Sequence, residues 1–271
     1  IIMLENQYLK EGYVVKECFN ADDINEFEKT FISLQKLQLK KLNIKFNKKK
    51  QNNVQYLTNL FINNINALKE VTYMARNSSI GHKLASNENI LNISKRLLNI
   101  GNATQIISGP SFFINFPKKK ILKYTWHSEQ NWYPKRRNFL NVWVPIFDDR
   151  TKNNSMAIKI SSHKKDWFYF SEYKGYEGDN DKNTLVQYEI PENFVDSYRT
   201  VIPKVKKNNA LFFNGKVVHR SIDPKIHKVF FTIVFRIFDY SNDLTLSSNW
   251  ADIPYNRKSL GIQNINVKRD K

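Results

Sequence analysis

The spacing of apolar residues changes character near Thr104, and that change limits the folds open to this chain. Before it, apolar residues recur at helical intervals. Ile24, Phe27, Phe31 and Leu34 predict a helix over 22–42, with Asn20 as cap and Asp22 and Asp23 in its first turn. Leu57, Leu60, Phe61, Ile65 and Leu68 share one side of a second helical stretch over 54–75. Ile90, Leu91, Ile93, Leu97 and Leu98 predict a third over 87–99, stopped by Gly101. The polar run 47–53 between the first two reads as an exposed loop. After Thr104 the pattern is one of short strands: 104–116 (broken by Gly109-Pro110), 139–147, 156–160, 201–205, 210–213, 216–219 and 228–238. Tyr13-Val14-Val15 predicts one more strand, ahead of the helices. Helices first and short strands after make an α+β domain on a β core.

The densest chemistry lies in Lys123-Tyr124-Thr125-Trp126-His127-Ser128-Glu129-Gln130. In an extended chain His127 and Glu129 point to one face, because a strand repeats every two residues. The chain has five histidines. His219 ends Leu211-Phe212-Phe213-Asn214-Gly215-Lys216-Val217-Val218-His219, two apolar runs joined at an Asn-Gly turn. Together, His127, Glu129 and His219 have the composition of a 2-His-1-carboxylate site for non-haem Fe(II). Taken singly, an H-x-E triplet is common by chance, and a histidine at a strand end is as readily a packed core residue. His163, in a Ser-Ser-His-Lys turn, and His227, in a loop, are set aside as ligands.

Five segments in order resemble the phytanoyl-CoA dioxygenase-like family of Fe(II)/2-oxoglutarate oxygenases, from about Tyr8 to Asp239. They are Tyr8-Leu9-Lys10-Glu11-Gly12-Tyr13-Val14-Val15, similar to its first strand; Thr125-Trp126-His127-Ser128-Glu129, similar to its iron motif; Asn141-Val142-Trp143-Val144-Pro145-Ile146-Phe147-Asp148-Asp149; Asn153-Asn154-Ser155-Met156 with Ile160-Ser161-Ser162-His163-Lys164; and Phe213-Asn214-Gly215-Lys216-Val217-Val218-His219-Arg220-Ser221, similar to its distal-histidine strand. The resemblance implies a double-stranded β-helix, a cupin-like jelly-roll barrel with the N-terminal helices packed on one sheet. Length and residue pattern give one domain over 1–271: a helical part at about 20–100, a barrel at about 104–240, an insertion at about 162–199 with little apolar period, expected to form a lid, and an irregular tail anchored by Trp250 and Tyr255. The resemblance also implies Fe(II), 2-oxoglutarate as cosubstrate, O2, and hydroxylation of a small molecule. Related halogenases lack the carboxylate ligand, so Glu129 points to hydroxylation.

One position departs from the family. An arginine eleven residues after the distal histidine usually holds the far carboxylate of 2-oxoglutarate in a bidentate fork. Phe230 stands there. Arg236 lies about 20 Å further along the same strand. Lys159 offers a second cation from a facing strand, and Lys120, Lys123 and Lys228 are further candidates. Trp143 and Asn141 share a strand face and are expected to line the cosubstrate pocket or to fill barrel core. The alternative is an oxygenase fold with altered or lost 2-oxoglutarate binding, acting as a binding protein or with changed chemistry.

A formal charge of +18, from 43 basic and 25 acidic residues, favours anionic partners, such as a phosphorylated or acidic substrate. The lysines are scattered along the chain and read as a solvated surface. No helix-turn-helix, RNP or zinc-finger pattern supports specific nucleic-acid binding. Cys18 is the single cysteine, which excludes an intrachain disulfide and suits a reducing compartment such as the cytoplasm. No apolar run reaches membrane-span length, and no signal peptide is visible. The chain opens Ile1-Ile2-Met3, with Met3 a candidate native start.

Overall fold

The computed structural model describes residues 2–45, 58, 64–101, 105–115, 124–133, 138–152, 156–167, 171–173, 187–222, 229–239 and 241. Helix α1 (Ile2–Glu11) leads into strand β1 (Tyr13–Glu17). Helices α2 (Ala21–Lys41), α3 (Ile65–Arg76), α4 (Ser79–Ala85) and α5 (Glu88–Leu98) follow. The strands are β2 (Gln105–Asn115), β3 (Phe139–Ile146), β4 (Met156–Lys159), β5 (Ser171–Tyr173), β6 (Gln187–Glu189), β7 (Thr200–Val201), β8 (Asn209–Asn214), β9 (His219–Ser221) and β10 (Phe230–Asp239).

They form a five-stranded sheet in the order β1-β8-β3-β10-β2, a three-stranded sheet β7-β4-β9 and the pair β5-β6. Every pairing is antiparallel. Alternation along the central strands decides what each face covers. Leu140, Val142, Val144 and Ile146 of β3 and Phe231, Ile233, Phe235 and Ile237 of β10 share one core with Ile24, Phe27 and Phe31 of α2. Trp143, Leu211, Phe213 and Val234 point the other way and share a second core with Met156 and Ile158 of β4. The helices therefore cover the outer face of the large sheet, and the space between the sheets is the barrel interior of a jelly roll.

Local chemistry supports each helix. The Asn20 side chain accepts from the backbone N–H of Asp23 at 2.8 Å, capping α2. Phe31 meets Phe112, Phe147 and Phe231 at ring-centre distances of 4.9, 5.8 and 5.3 Å, which ties α2 to β2 and β10. Among the described residues, no helix is long and apolar enough to cross a membrane.

Several elements differ from the sequence expectation. Tyr8 to Glu11 are helical, because Leu4 and Tyr8, one turn apart, are both buried. The strand begins only after Gly12, whose φ of +87° turns the chain out of α1. Helix α4 is too short to show a clear period. Strand β2 runs unbroken through Gly109-Pro110, because β10 bulges opposite it between Val234 and Arg236. Strand β9 starts at His219 instead of residue 216, since Gly215 and Lys216 form the turn. Val205 joins no strand and makes an isolated bridge to Arg150. The polar run 47–53, residues 54–57 and 59–63, and the tail with Trp250 and Tyr255 lie outside the described residues.

Candidate metal centre

His127 and His219 are joined through their backbones before their side chains meet. His127 N–H donates to the His219 carbonyl at 3.0 Å, and His219 N–H returns a bond to His127 at 2.9 Å. This pairing places the ring centres 4.1 Å apart. The segment is extended through Ser128, as expected, and then turns into a 3-10 helix, Glu129–Asn131, capped by the Ser128 side chain. Across the extended Ser128, His127 and Glu129 share one face, and this brings the Glu129 carboxylate to the imidazoles. His219 Nε2 lies 3.9 Å from Glu129 Oε1. One ligand atom from each of His127, Glu129 and His219 lies within 4.8 Å of the others, all three residues being buried.

The imidazoles are oriented by their far nitrogens. His127 Nδ1 sits 2.7 Å from the Thr125 carbonyl, and His219 Nδ1 sits 3.0 Å from the Val217 carbonyl. A carbonyl only accepts, so each Nδ1 carries the proton and each Nε2 presents a lone pair. Burial lowers both imidazole pKa values, with His127 at about 3, where the charge of His219 adds to the effect. Both rings are therefore neutral at neutral pH, the form that ligates a metal.

Glu129 has the opposite requirement. Burial pushes its carboxyl up, but the charge and hydrogen bond of Arg236 and the two histidines outweigh this and hold it below its usual value. Arg236 donates from Nε to Glu129 Oε2 at 2.8 Å. In turn Glu129 outweighs the burial of Arg236 and raises its pKa. Two neutral imidazoles and one carboxylate, each with its orientation fixed by a partner, fit a divalent first-row cation with positions left open.

The three side chains open into a cavity of about 170 Å³. Arg236 and Trp143 line it, as do Tyr124, Trp132 and Ser221, which sequence reasoning did not single out. Asn141 is fully buried but does not line it; it stands opposite Arg236 and Phe213 in register, and neither of its amide atoms has a partner among the described residues. Lys159 does not point into the barrel. It alternates with Ile158 and packs its ammonium 4.9 Å from the centre of the Trp126 ring, away from the cavity. Lys120, Lys123, Lys228 and His227 lie outside the described residues. His163 serves the fold, with Nε2 3.1 Å from the Leu9 carbonyl.

The fold recurs in solved structures. EctD from S. alaskensis with bound Fe is 14% identical, with a TM-score of 0.60 over 92% of this chain and 82% of that one. The epimerase SnoN, in complex with Fe3+, alpha ketoglutarate and nogalamycin RO, is 12% identical, with a TM-score of 0.56 over 88% of this chain and 83% of that one. The carbocyclase SnoK from nogalamycin biosynthesis, described as non-heme and alpha ketoglutarate dependent, matches at 12% identity and a TM-score of 0.56, over 88% of this chain and 83% of that one. At such identities the likeness is one of fold. No curated protein matches the chain in sequence. The family comparison is more direct: residues 8–223 match phytanoyl-CoA dioxygenase, which covers both histidines and Glu129, and the chain belongs to that family.

Proposed function

We propose that the protein is an Fe(II)- and 2-oxoglutarate-dependent dioxygenase that hydroxylates a small molecule. The observation that carries this reading is the convergence of His127, Glu129 and His219, all buried, at one cavity. Family membership and neighbours crystallised with Fe3+ and alpha ketoglutarate support it. The chemistry supplied with metal and cosubstrate bound is oxidative decarboxylation of 2-oxoglutarate by O2, coupled to oxidation of a substrate C–H bond. The chain's own residues hold the metal, orient the ligands and exclude water.

The residues around the cavity support a substrate with both an apolar and an anionic part. Tyr124 and Trp132 flank His127, each with a ring centre 5.3 Å away. Arg220 also lines the cavity and stacks 4.4 Å from the Trp126 ring. The insertion at 162–199 is proposed as a cover. In support, Tyr188 packs on Trp132 at 4.9 Å, and Ile190 N–H donates to the Trp126 carbonyl. We place all of this in one domain, with the buried lone Cys18 suiting a reducing compartment such as the cytoplasm.

The test is anaerobic loading with Fe(II) and 2-oxoglutarate, then exposure to O2 with succinate as the readout. Wild type is expected to form succinate, and H219A none. Phe230 favours a second reading, a barrel that binds no 2-oxoglutarate; metal binding without succinate would establish that one.

A further inference from the structure

A guanidinium lies buried beside the residue that replaces the family's arginine. Arg150 follows β3 in the connection to β4, and its backbone N–H is held by the Val205 carbonyl at 2.7 Å. The residue is 0% exposed. Its guanidinium carbon lies 3.6 Å from the centre of the Phe230 ring. Nη2 donates to the Phe231 carbonyl at 3.1 Å, while Nε and Nη1 have no acceptor among the described residues. Burial draws its pKa down to about 9, against the charges of Asp148 and Asp149. Burying a cation with two unmet donors is costly unless a ligand supplies the acceptors.

The place of this cation in the barrel matters. Phe230, Thr232 and Val234 share one face of β10, and Thr232 and Val234 line the cavity. Phe230 pairs in register with Asn115, which lines the cavity and whose Oδ1 also has no partner among the described residues. Arg150 thus sits behind the Asn115 end of the cavity. It does not touch the cavity directly, but among the described residues only Nη2 of its side-chain donors is engaged. Of the other cations described near the barrel, Arg236 is engaged by Glu129 and Lys159 packs on Trp126, while Arg220 lines the cavity, stacks on Trp126 and meets Glu192 at 3.5 Å through Nη1, its Nε having no partner among the described residues.

Resting on the oxygenase reading above, we infer that Arg150 binds the far carboxylate of 2-oxoglutarate, its fork turning past the Phe230 ring into the Asn115 end of the cavity when the cosubstrate binds, in place of an arginine at position 230. A planar guanidinium with free Nε and Nη1 matches a carboxylate in bidentate fashion.

The experiment is calorimetry on the Zn(II)-loaded full chain, with 2-oxoglutarate and with 2-oxobutyrate, which keeps the 2-oxo acid and lacks the far carboxylate. Wild type is expected to prefer 2-oxoglutarate, and R150M to lose at least about 30-fold in affinity for it, while 2-oxobutyrate binds both alike. Adding F230R to R150M should restore part of the preference. Equal 2-oxoglutarate binding by wild type and R150M overturns the role of Arg150 alone. Failure of wild type to bind 2-oxoglutarate overturns both this inference and the oxygenase reading. If R150M does not fold, the wild-type Arg150 Nε–H resonance, assigned by its absence in R150K, carries the test. It should move on adding 2-oxoglutarate and stay in place with 2-oxobutyrate; no movement with either refutes the inference.

Discussion

Arg236 donates its Nε–H to Glu129 Oε2 at 2.8 Å, across 107 residues of sequence and inside the barrel. The sequence marked Arg236 as a cosubstrate anchor, but its Nε is used on the carboxylate of the candidate metal site. A partner that orients a ligating group typically affects metal affinity about 10–100-fold. R236M is therefore expected to weaken Mn(II) or Zn(II) binding by that factor, measured by competition with a chromogenic chelator. Unchanged affinity would show that Glu129 is held in place without it.

Metal binding should stabilise the fold, because the ligands converge only in the folded chain. His127 and His219 are brought together by a backbone bridge between distant segments. At a metal concentration near one hundred times Kd, the expected gain is about 2.7 kcal/mol. Thermal unfolding with and without Zn(II) should show an upward shift in wild type that disappears in H127A, E129A and H219A. A shift of the same size in H219A would rule out its role as a ligand.

Gly12 links the first strand to the metal site. It has φ +87°, and a Cβ there would lie 2.5 Å from His163 Nδ1 and 2.7 Å from Val217 Cγ2. The Val217 carbonyl orients His219. G12A should cost about 1–3 kcal/mol in urea unfolding, from backbone strain and crowding. It should also weaken metal binding measurably, whereas a stability loss of the same size elsewhere should not.

Phe31 anchors the helical layer to the sheet through Phe112, Phe147 and Phe231. F31A should cost about 3–5 kcal/mol in chemical denaturation, as for other buried aromatics cut to alanine. Because those rings lie on the outer face of the large sheet, metal affinity of the folded variant should stay near that of wild type.

Much of this molecule was legible in residue order alone. The helical period of Ile24, Phe27 and Phe31 and the alternation through β3 and β10 are local signals, and each element needs only its own side chains to declare one buried face. The residue types His127, Glu129 and His219 were legible for the same reason, since few histidines exist to choose from. Tertiary structure decided how they meet. Glu129 stands beside His127 across the extended Ser128, but His219 joins them only through its backbone bridge to His127, a pairing of segments far apart in sequence. Tertiary structure also decided which cations matter. Lys159 and Arg236 looked equivalent in sequence, yet alternation in β4 turns Lys159 outward, while Arg236, beside the bulge of β10, enters the cavity. Arg150 carried no signal in sequence, because its importance lies in standing against Phe230, a contact between separate strand ends that only the closed barrel creates.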